Sequence, residues 1–127
     1  MAVTNSFVDL RMWQHAHCFV LEMYSLTTSY PKHELFGLVS QFRRAAISIP
    51  ANIAEGYKRL SKIEKLRFFN IAQSSLEECR YYIILSKDLN YIDNNQSGKL
   101  IMLLEDTSKS LNSYCEKLLV DLKDNRK

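Results

Sequence analysis

Residues 41–59 read QFRRAAISIPANIAEGYKR, and this stretch decides the fold. Gln41, Arg44, Ser48, Asn52, Glu55 and Arg59 are spaced 3, 4, 4, 3 and 4 apart. At about 100° per residue these positions fall within roughly 80° of one another on a helix surface. Phe42, Ala45, Ala46, Ile49 and Ile53 form an apolar face to one side of that line. Phe36, Ile47, Ala51 and Ala54 lie around the other side, where a solvated helix carries Lys and Glu. Between Leu35 and Glu55 the only charges are Arg43 and Arg44. A helix this poor in charge needs cover on most of its circumference, and a small bundle covers only about half. The line therefore predicts a buried or interfacial polar seam, built for assembly rather than catalysis.

The same periodicity continues on both sides of this stretch and predicts an all-α chain of four helices. The first runs from about Val8 to Ser29, with Ser6 or Asn5 as its cap and Asp9 suited to the positive first turn. Leu10, Trp13, His17, Val20, Tyr24 and Thr27 share one face; Met12, Ala16, Phe19, Met23 and Leu26 make a second. The second helix is expected from Lys32 to Gly56, with Gly56 as its C-terminal stop. Pro50 removes a backbone hydrogen bond and should kink this helix. A break at Ile49 is the other reading, but the spacing of Phe42, Ala46, Ile49 and Ile53 crosses the proline without slipping. A kinked continuous helix is preferred.

Ser61 with Glu64 three residues later is a capping box that opens the third helix. Phe68, Phe69, Ala72, Leu76, Cys79, Ile83 and Ser86 line its inner face, and it fades at Asn90. Residues 91–98 read as a polar loop. A fourth helix then reaches about Leu122, with Leu100, Leu104, Thr107, Leu111, Tyr114 and Leu118 on its buried stripe. The connections are short, so consecutive helices should be antiparallel neighbours in an up-down-up-down bundle. A length of 127 residues fits one domain spanning residues 1–127. Three Gly and two Pro leave little room for the turns of a β-protein.

Charge is unevenly spread. Residues 1–56 hold four basic and four acidic side chains, while residues 57–127 hold thirteen and ten. Lys58, Arg59, Lys62, Lys65 and Arg67 face only Glu64 within residues 58–67. The predicted topology gathers this cluster with Arg11, Lys123, Arg126 and Lys127 at one end of the bundle. Such a basic end can neutralise several phosphates of a nucleic acid. A solvated corner between two helices accounts for the same residues equally well. Phe68 and Phe69 interleave with the charges, but their phase points them inward, away from base stacking.

Catalytic and metal motifs are scarce. Scattered glycines build no phosphate loop. None of His15, His17 and His33 lies three residues after a Glu, so the di-iron pattern of some bundles is missing. His15 and His17, two apart, point to nearly opposite sides of a helix and make a poor metal pair. Ser48 and Glu55 have no histidine at helical reach. No catalytic residue, metal or cofactor is therefore expected. Cys18, Cys79 and Cys115 are odd in number and widely spaced, and read as small core residues in a reducing cytoplasm. No apolar run approaches the roughly 18–20 residues of a membrane span, and the N-terminus has no signal-peptide pattern.

The string from Gln41 to Gly56 resembles the signature of the four-helix bundle proteins named after intervening sequences of 23S ribosomal RNA genes. The resemblance extends upstream through Asp9-Leu10, Trp13, Tyr24, Thr27 and the Pro31–Glu34–Leu38 spacing, and downstream through Ala72, Ser75-Leu76 and Glu78. Ser74 departs from it, standing where the family usually has Gly, which suggests slightly different packing between helices 2 and 3. The resemblance implies a homopentamer around an axial channel. It also implies kinship to the accessory protein of diversity-generating retroelements, a pentamer that engages reverse transcriptase and nucleic acid. The family has no established reaction.

Within this frame the seam has a physical reading. A buried Arg44 needs a carboxylate, and Glu78 on helix 3 is the candidate; Ser48, Asn52 and Glu55 would satisfy one another and the Ala46 carbonyl freed by Pro50. A solvent-facing stripe is the plain alternative. Three function classes follow. The first is a non-enzymatic, oligomeric, RNA- or DNA-associated scaffold. The second is a protein-interaction module without nucleic acid, and the third a small-molecule binder or enzyme using Arg44, Asn52 and Glu55.

Overall fold

The computed structural model describes residues 6–125. A 3-10 turn, Phe7–Asp9, precedes helix α1 (Arg11–Thr27), and another, Lys32–Glu34, precedes α2 (Leu38–Lys58). Helices α3 (Lys62–Asp88) and α4 (Asn94–Asn125) complete the chain. Each helix packs on two others: α1 on α2 and α4, and α3 on α2 and α4. The diagonal partners, α1 with α3 and α2 with α4, make no close backbone approach. This is the expected up-down four-helix bundle.

The helix ends follow from capping chemistry. The Ser6 hydroxyl accepts from the Val8 N–H at 3.3 Å, but it caps only the 3-10 turn. Leu10 is extended, with φ −75° and ψ 129°, so α1 begins three residues later than the periodicity suggests. At the other end Thr28 Oγ1 donates back to the Ser25 carbonyl at 2.7 Å. The second helix likewise starts later than Lys32. Glu34 Oε1 accepts from the Leu38 N–H at 3.3 Å, and Tyr91 Oη donates to Glu34 Oε2 at 2.8 Å. One carboxylate thus caps α2 and ties the α1–α2 connection to the α3–α4 connection, and these bonds hold its pKa below the ordinary value. Ser61 caps α3 as expected, its Oγ accepting from the Glu64 N–H at 3.1 Å.

After α3, Asn90 takes a left-handed φ of 63°. Tyr91 N–H donates to the Ser86 carbonyl and Asn90 N–H to the Lys87 carbonyl, both at 2.9 Å. This Schellman closure satisfies carbonyls that the helix end leaves over. A second capping box then starts α4 inside the stretch expected to be loop. Gln96 N–H donates to Asp93 Oδ1 at 2.8 Å, and Asp93 N–H donates to Gln96 Oε1 at 2.9 Å.

The core takes one stripe from each helix. Met12, Ala16, Phe19 and Met23 come from α1, so the second of its two apolar faces is the buried one. Phe42, Ala46, Ile49 and Ile53 face them from α2, with Phe69, Ala72, Leu76, Cys79 and Ile83 from α3 and Leu100, Leu104 and Leu111 from α4. Of the cysteines only Cys79 is buried; Cys115 is half-buried and Cys18 exposed.

Helix α2 runs unbroken across Pro50 and passes Gly56 to end at Lys58. Gly56 is therefore no stop. It is buried, and a Cβ there would stand 2.5 Å from Phe69 Cε1 and 3.1 Å from Phe68 Cβ. Its lack of a side chain lets α2 and α3 converge at their shared turn. Alanine is ordinarily better than glycine in a helix by about 1 kcal/mol. Gly56→Ala is nonetheless expected to destabilise the protein, by about 1–3 kcal/mol, because the fully buried Phe69 ring has nowhere to go. Urea unfolding measures the sign, and a gain in stability would refute the close contact.

Candidate functional site

The polar seam lies along the junction of α2 and α3. Gln41, Arg44, Ser48 and Glu78 line one cleft of 290 Å³ together with Ser75. Ser75 is the residue missed by the sequence reading of the seam. Its Oγ donates to Ser48 Oγ at 2.8 Å, and Asn52 Nδ2 donates to Ser48 Oγ at 2.9 Å and to the Ser48 carbonyl at 2.8 Å. Asn52 therefore serves the carbonyl four residues back, its natural helical reach, and not that of Ala46. Ser74 is exposed, and the buried polar contact with α2 is made by its neighbour Ser75.

Gln41 and the charged members of the seam do not bury within one chain. Gln41, Arg44, Glu55 and Glu78 are all exposed. Among the described residues no ion pair joins Arg44 to Glu78. Glu78 Oε2 instead accepts from Tyr82 Oη at 2.9 Å on its own helix. Burial and then this carboxylate push the Tyr82 pKa up to about 12. Glu55 pairs with Arg59, four residues on, at 3.1 Å.

Arg43, next to Arg44, is the arginine that bonds across the bundle, though to α1 and not to a carboxylate on α3. Arg43 Nε donates to Thr27 Oγ1 at 3.0 Å and Nη2 to the Tyr24 carbonyl at 3.4 Å. Its guanidinium carbon lies 4.4 Å from the centre of the Tyr24 ring. The cation thus sits on the negative end of α1, which carries no basic residue in its own last turn.

The basic turn between α2 and α3 is largely engaged with its surroundings. Arg59, paired with Glu55, also lies 4.5 Å above the half-buried Phe68 ring. Lys62 Nζ is 3.8 Å from Asp121 Oδ2, which joins the start of α3 to the last turns of α4 as the topology predicted. Arg67 is 3.8 Å from Glu64. Lys65 Nζ donates to the Tyr57 carbonyl at 2.6 Å and the Gly56 carbonyl at 3.4 Å, closing the end of α2. Partial burial there lowers its pKa. Lys58 and Lys123 are exposed, and Arg126 and Lys127 lie outside the described residues. Exposed ion pairs are worth only about 0–1 kcal/mol, so phosphates can still displace them. The field of the turn is nevertheless weaker than a count of its lysines and arginines indicates.

Among the described residues the flank of α2 is partly open: Ile47 is 44% exposed, Ala51 is exposed, and Ala54 is half-buried, with Ser6 and Phe7 beside the last two. Phe36, expected on the same helix face, lies in the turn before α2 and is 91% exposed. Helix α3 adds Ile63, Ile71, Tyr81 and Ile84 on its own outer side, and Leu60 in the turn is fully exposed. Among the described residues no group of His, Cys, Asp and Glu could hold a metal ion, and no helix is long and apolar enough to cross a membrane.

These features define an all-α bundle with capped helices, a polar α2–α3 junction and, among the described residues, a partly exposed apolar flank on α2. Residues 8–113 match the family described as 23S rRNA-intervening sequence protein. The chain belongs to that family. Its fold is also that of a protein of unknown function from the S23 ribosomal protein family of Bacteroides thetaiotaomicron VPI-5482, a crystal structure at 1.70 Å resolution. The two are 22% identical, with a TM-score of 0.74, over 82% of this chain and 97% of that one. No curated protein matches the sequence. Neither the family description nor the structural neighbour names an enzymatic activity.

The geometry separates the two adjacent arginines. Arg43→Ala is expected to cost about 1–3 kcal/mol, because it removes charged hydrogen bonds to α1. Arg44→Ala, on exposed ground with no buried carboxylate to strand, should change stability by about 0.5 kcal/mol or less. Urea unfolding of both variants at one protein concentration checks the order, and a larger loss for Arg44 would restore the buried-pair reading.

Proposed function

We propose that this protein is a non-enzymatic, self-assembling bundle that acts in the cytoplasm as a nucleic-acid-associated scaffold or accessory protein. The observation that carries the reading is the partly exposed apolar flank of Ile47, Ala51 and Ala54, together with Phe36. Water-facing aliphatic groups on a charge-poor helix, with an exposed aromatic ring in the turn before it, call for a partner surface. A second copy supplies one: the flank of one subunit packs on its neighbour, and a repeated head-to-tail contact closes into a ring. Five subunits is the number the family resemblance suggests. The nucleic-acid part rests on the net charge of +3 and on the basic end of Lys58, Arg59, Lys62, Lys65, Arg67 and Lys123. A ring repeats that end once per subunit, and avidity multiplies weak contacts.

A second reading has its own support. Leu60 and Phe36 are exposed far beyond what solubility favours, so a different protein, such as a reverse transcriptase, is an alternative occupant of the apolar surface. Co-purification of a stoichiometric partner in place of self-assembly would decide for it.

Light scattering tests the assembly directly. The expected mass is about five times the 14.8 kDa of one chain. Phe36→Asp combined with Ile47→Asp should reduce it while leaving helical content unchanged. A mass of 14.8 kDa for the unmodified protein at micromolar concentration would defeat the proposal. Nucleic-acid association should be sequence-tolerant and fall steeply with added salt, because phosphate contacts release counterions. Absence of binding to any RNA or DNA oligonucleotide at low salt would leave only the protein-interaction reading.

A further inference from the structure

Helix α4 is much longer than α1, its neighbour, and this mismatch creates a second basic surface. Lys99 pairs with Glu22 at 3.2 Å near the far end of α1. Counting back along the two antiparallel helices brings Arg11, the first residue of α1, level with about Ser110. Beyond that point α1 no longer covers α4. The result is a groove of 460 Å³ lined by Arg11, Lys109 and Lys117 and by the hydroxyl-bearing Ser110, Ser113 and Tyr114.

Three observations set this groove apart from the α2–α3 turn. Among the described residues, none of its three cations is in an ion pair, whereas Arg59, Lys62 and Arg67 all are. No carboxylate lines it: Asp9 before Arg11, and Asp106 and Glu116 on α4, all lie outside the lining. Lys109, Ser113 and Lys117 recur every four residues, so they form one row, and its lysines are spaced about 12 Å apart along the helix axis. Arg11 faces that row from the start of α1, where the helix dipole is positive. Cations in no ion pair among the described residues, beside hydroxyl donors and with no carboxylate in the lining, match the needs of successive phosphodiesters.

We propose that this α1–α4 groove is the principal phosphate-binding site of the protein and holds the backbone of a nucleic-acid strand. The inference rests on the nucleic-acid reading above and moves its centre away from the α2–α3 turn. It is also compatible with assembly. Helices α2 and α4 are diagonal in the bundle, so the α2 flank and the α4 side of the groove lie on different faces of one subunit.

Fluorescence anisotropy with a labelled single-stranded RNA, on the full chain at low salt, tests it. Lys109→Glu with Lys117→Glu is expected to weaken binding at least tenfold. Lys58→Glu with Arg59→Glu and Lys62→Glu, although it reverses three charges and not two, should weaken binding less than the groove pair does. Lys109→Gln with Lys117→Gln, the milder change, should lower the log–log salt slope by about 0.7 for each phosphate no longer neutralised. Circular dichroism and light scattering establish that each variant keeps its helices and its mass. Unchanged affinity in both groove variants, with binding by the unmodified protein intact, overturns the groove and leaves nucleic-acid association standing. No binding by the unmodified protein overturns both. Displacement of the RNA by micromolar pyrophosphate would assign the groove to a small phosphorylated molecule and overturn the strand.

Discussion

The Phe69 ring occupies the space where a side chain on residue 56 would stand, and the arrangement of the bundle depends on that close approach. It fixes the angle and depth at which α3 leaves α2 after a turn of only three residues, Arg59–Ser61. With the two helices this close, small polar groups can meet farther along the same junction, as Ser48 and Ser75 do at 2.8 Å. A larger residue at either position would force the helices apart and break the hydroxyl contact that joins Ser48 to Ser75 across the junction. The junction therefore combines an apolar close approach at the turn with a polar one near its middle. The cleft of the seam opens beside the second.

The helices themselves were legible in the sequence, because the apolar period survives wherever a face is buried. The stripes of α3 and α4 lie where the pattern put them apart from Phe68 and Tyr114, which are half-buried, with Leu100, Leu104 and Leu111 fully enclosed. Boundaries were less legible. Ser61 and Glu64 announce a capping box openly, but Asp93 and Gln96 form the same device with Asp in place of Ser or Thr, inside a stretch rich in loop residues. Gly56 shows the ambiguity of a glycine near a helix end. A terminator and a close-packing site carry the same letter, and only the position of Phe69 distinguishes them.

The charged residues were harder to place, for a different reason. Arg43 and Arg44 are adjacent, and the polar spacing selects Arg44. The element that decides is α1, whose carbonyl-rich end reaches Arg43 from sixteen or more residues away in the chain. Local neutralisation of the basic turn was partly readable, since Glu55–Arg59 and Glu64–Arg67 follow helical spacing. The pairing of Lys62 with Asp121 depends on the tertiary fold. The groove at Arg11 is of the same kind. It exists because two neighbouring helices differ in length, and no local pattern records that difference.

The chain lengths between the helices also govern the order in which the bundle forms. Joining α2 to α3 closes a loop of three residues, and joining α3 to α4 closes one of five. Each closure is entropically cheap, and the packing it brings is local. The α1–α4 pairing spans nearly the whole described chain, so its closure costs the most chain entropy and should come last. The last interface to form in such a hierarchy is the first to open. Local fluctuations of the native state should therefore start where α1 meets α4, while the α2–α3 hairpin keeps its amide hydrogens longest.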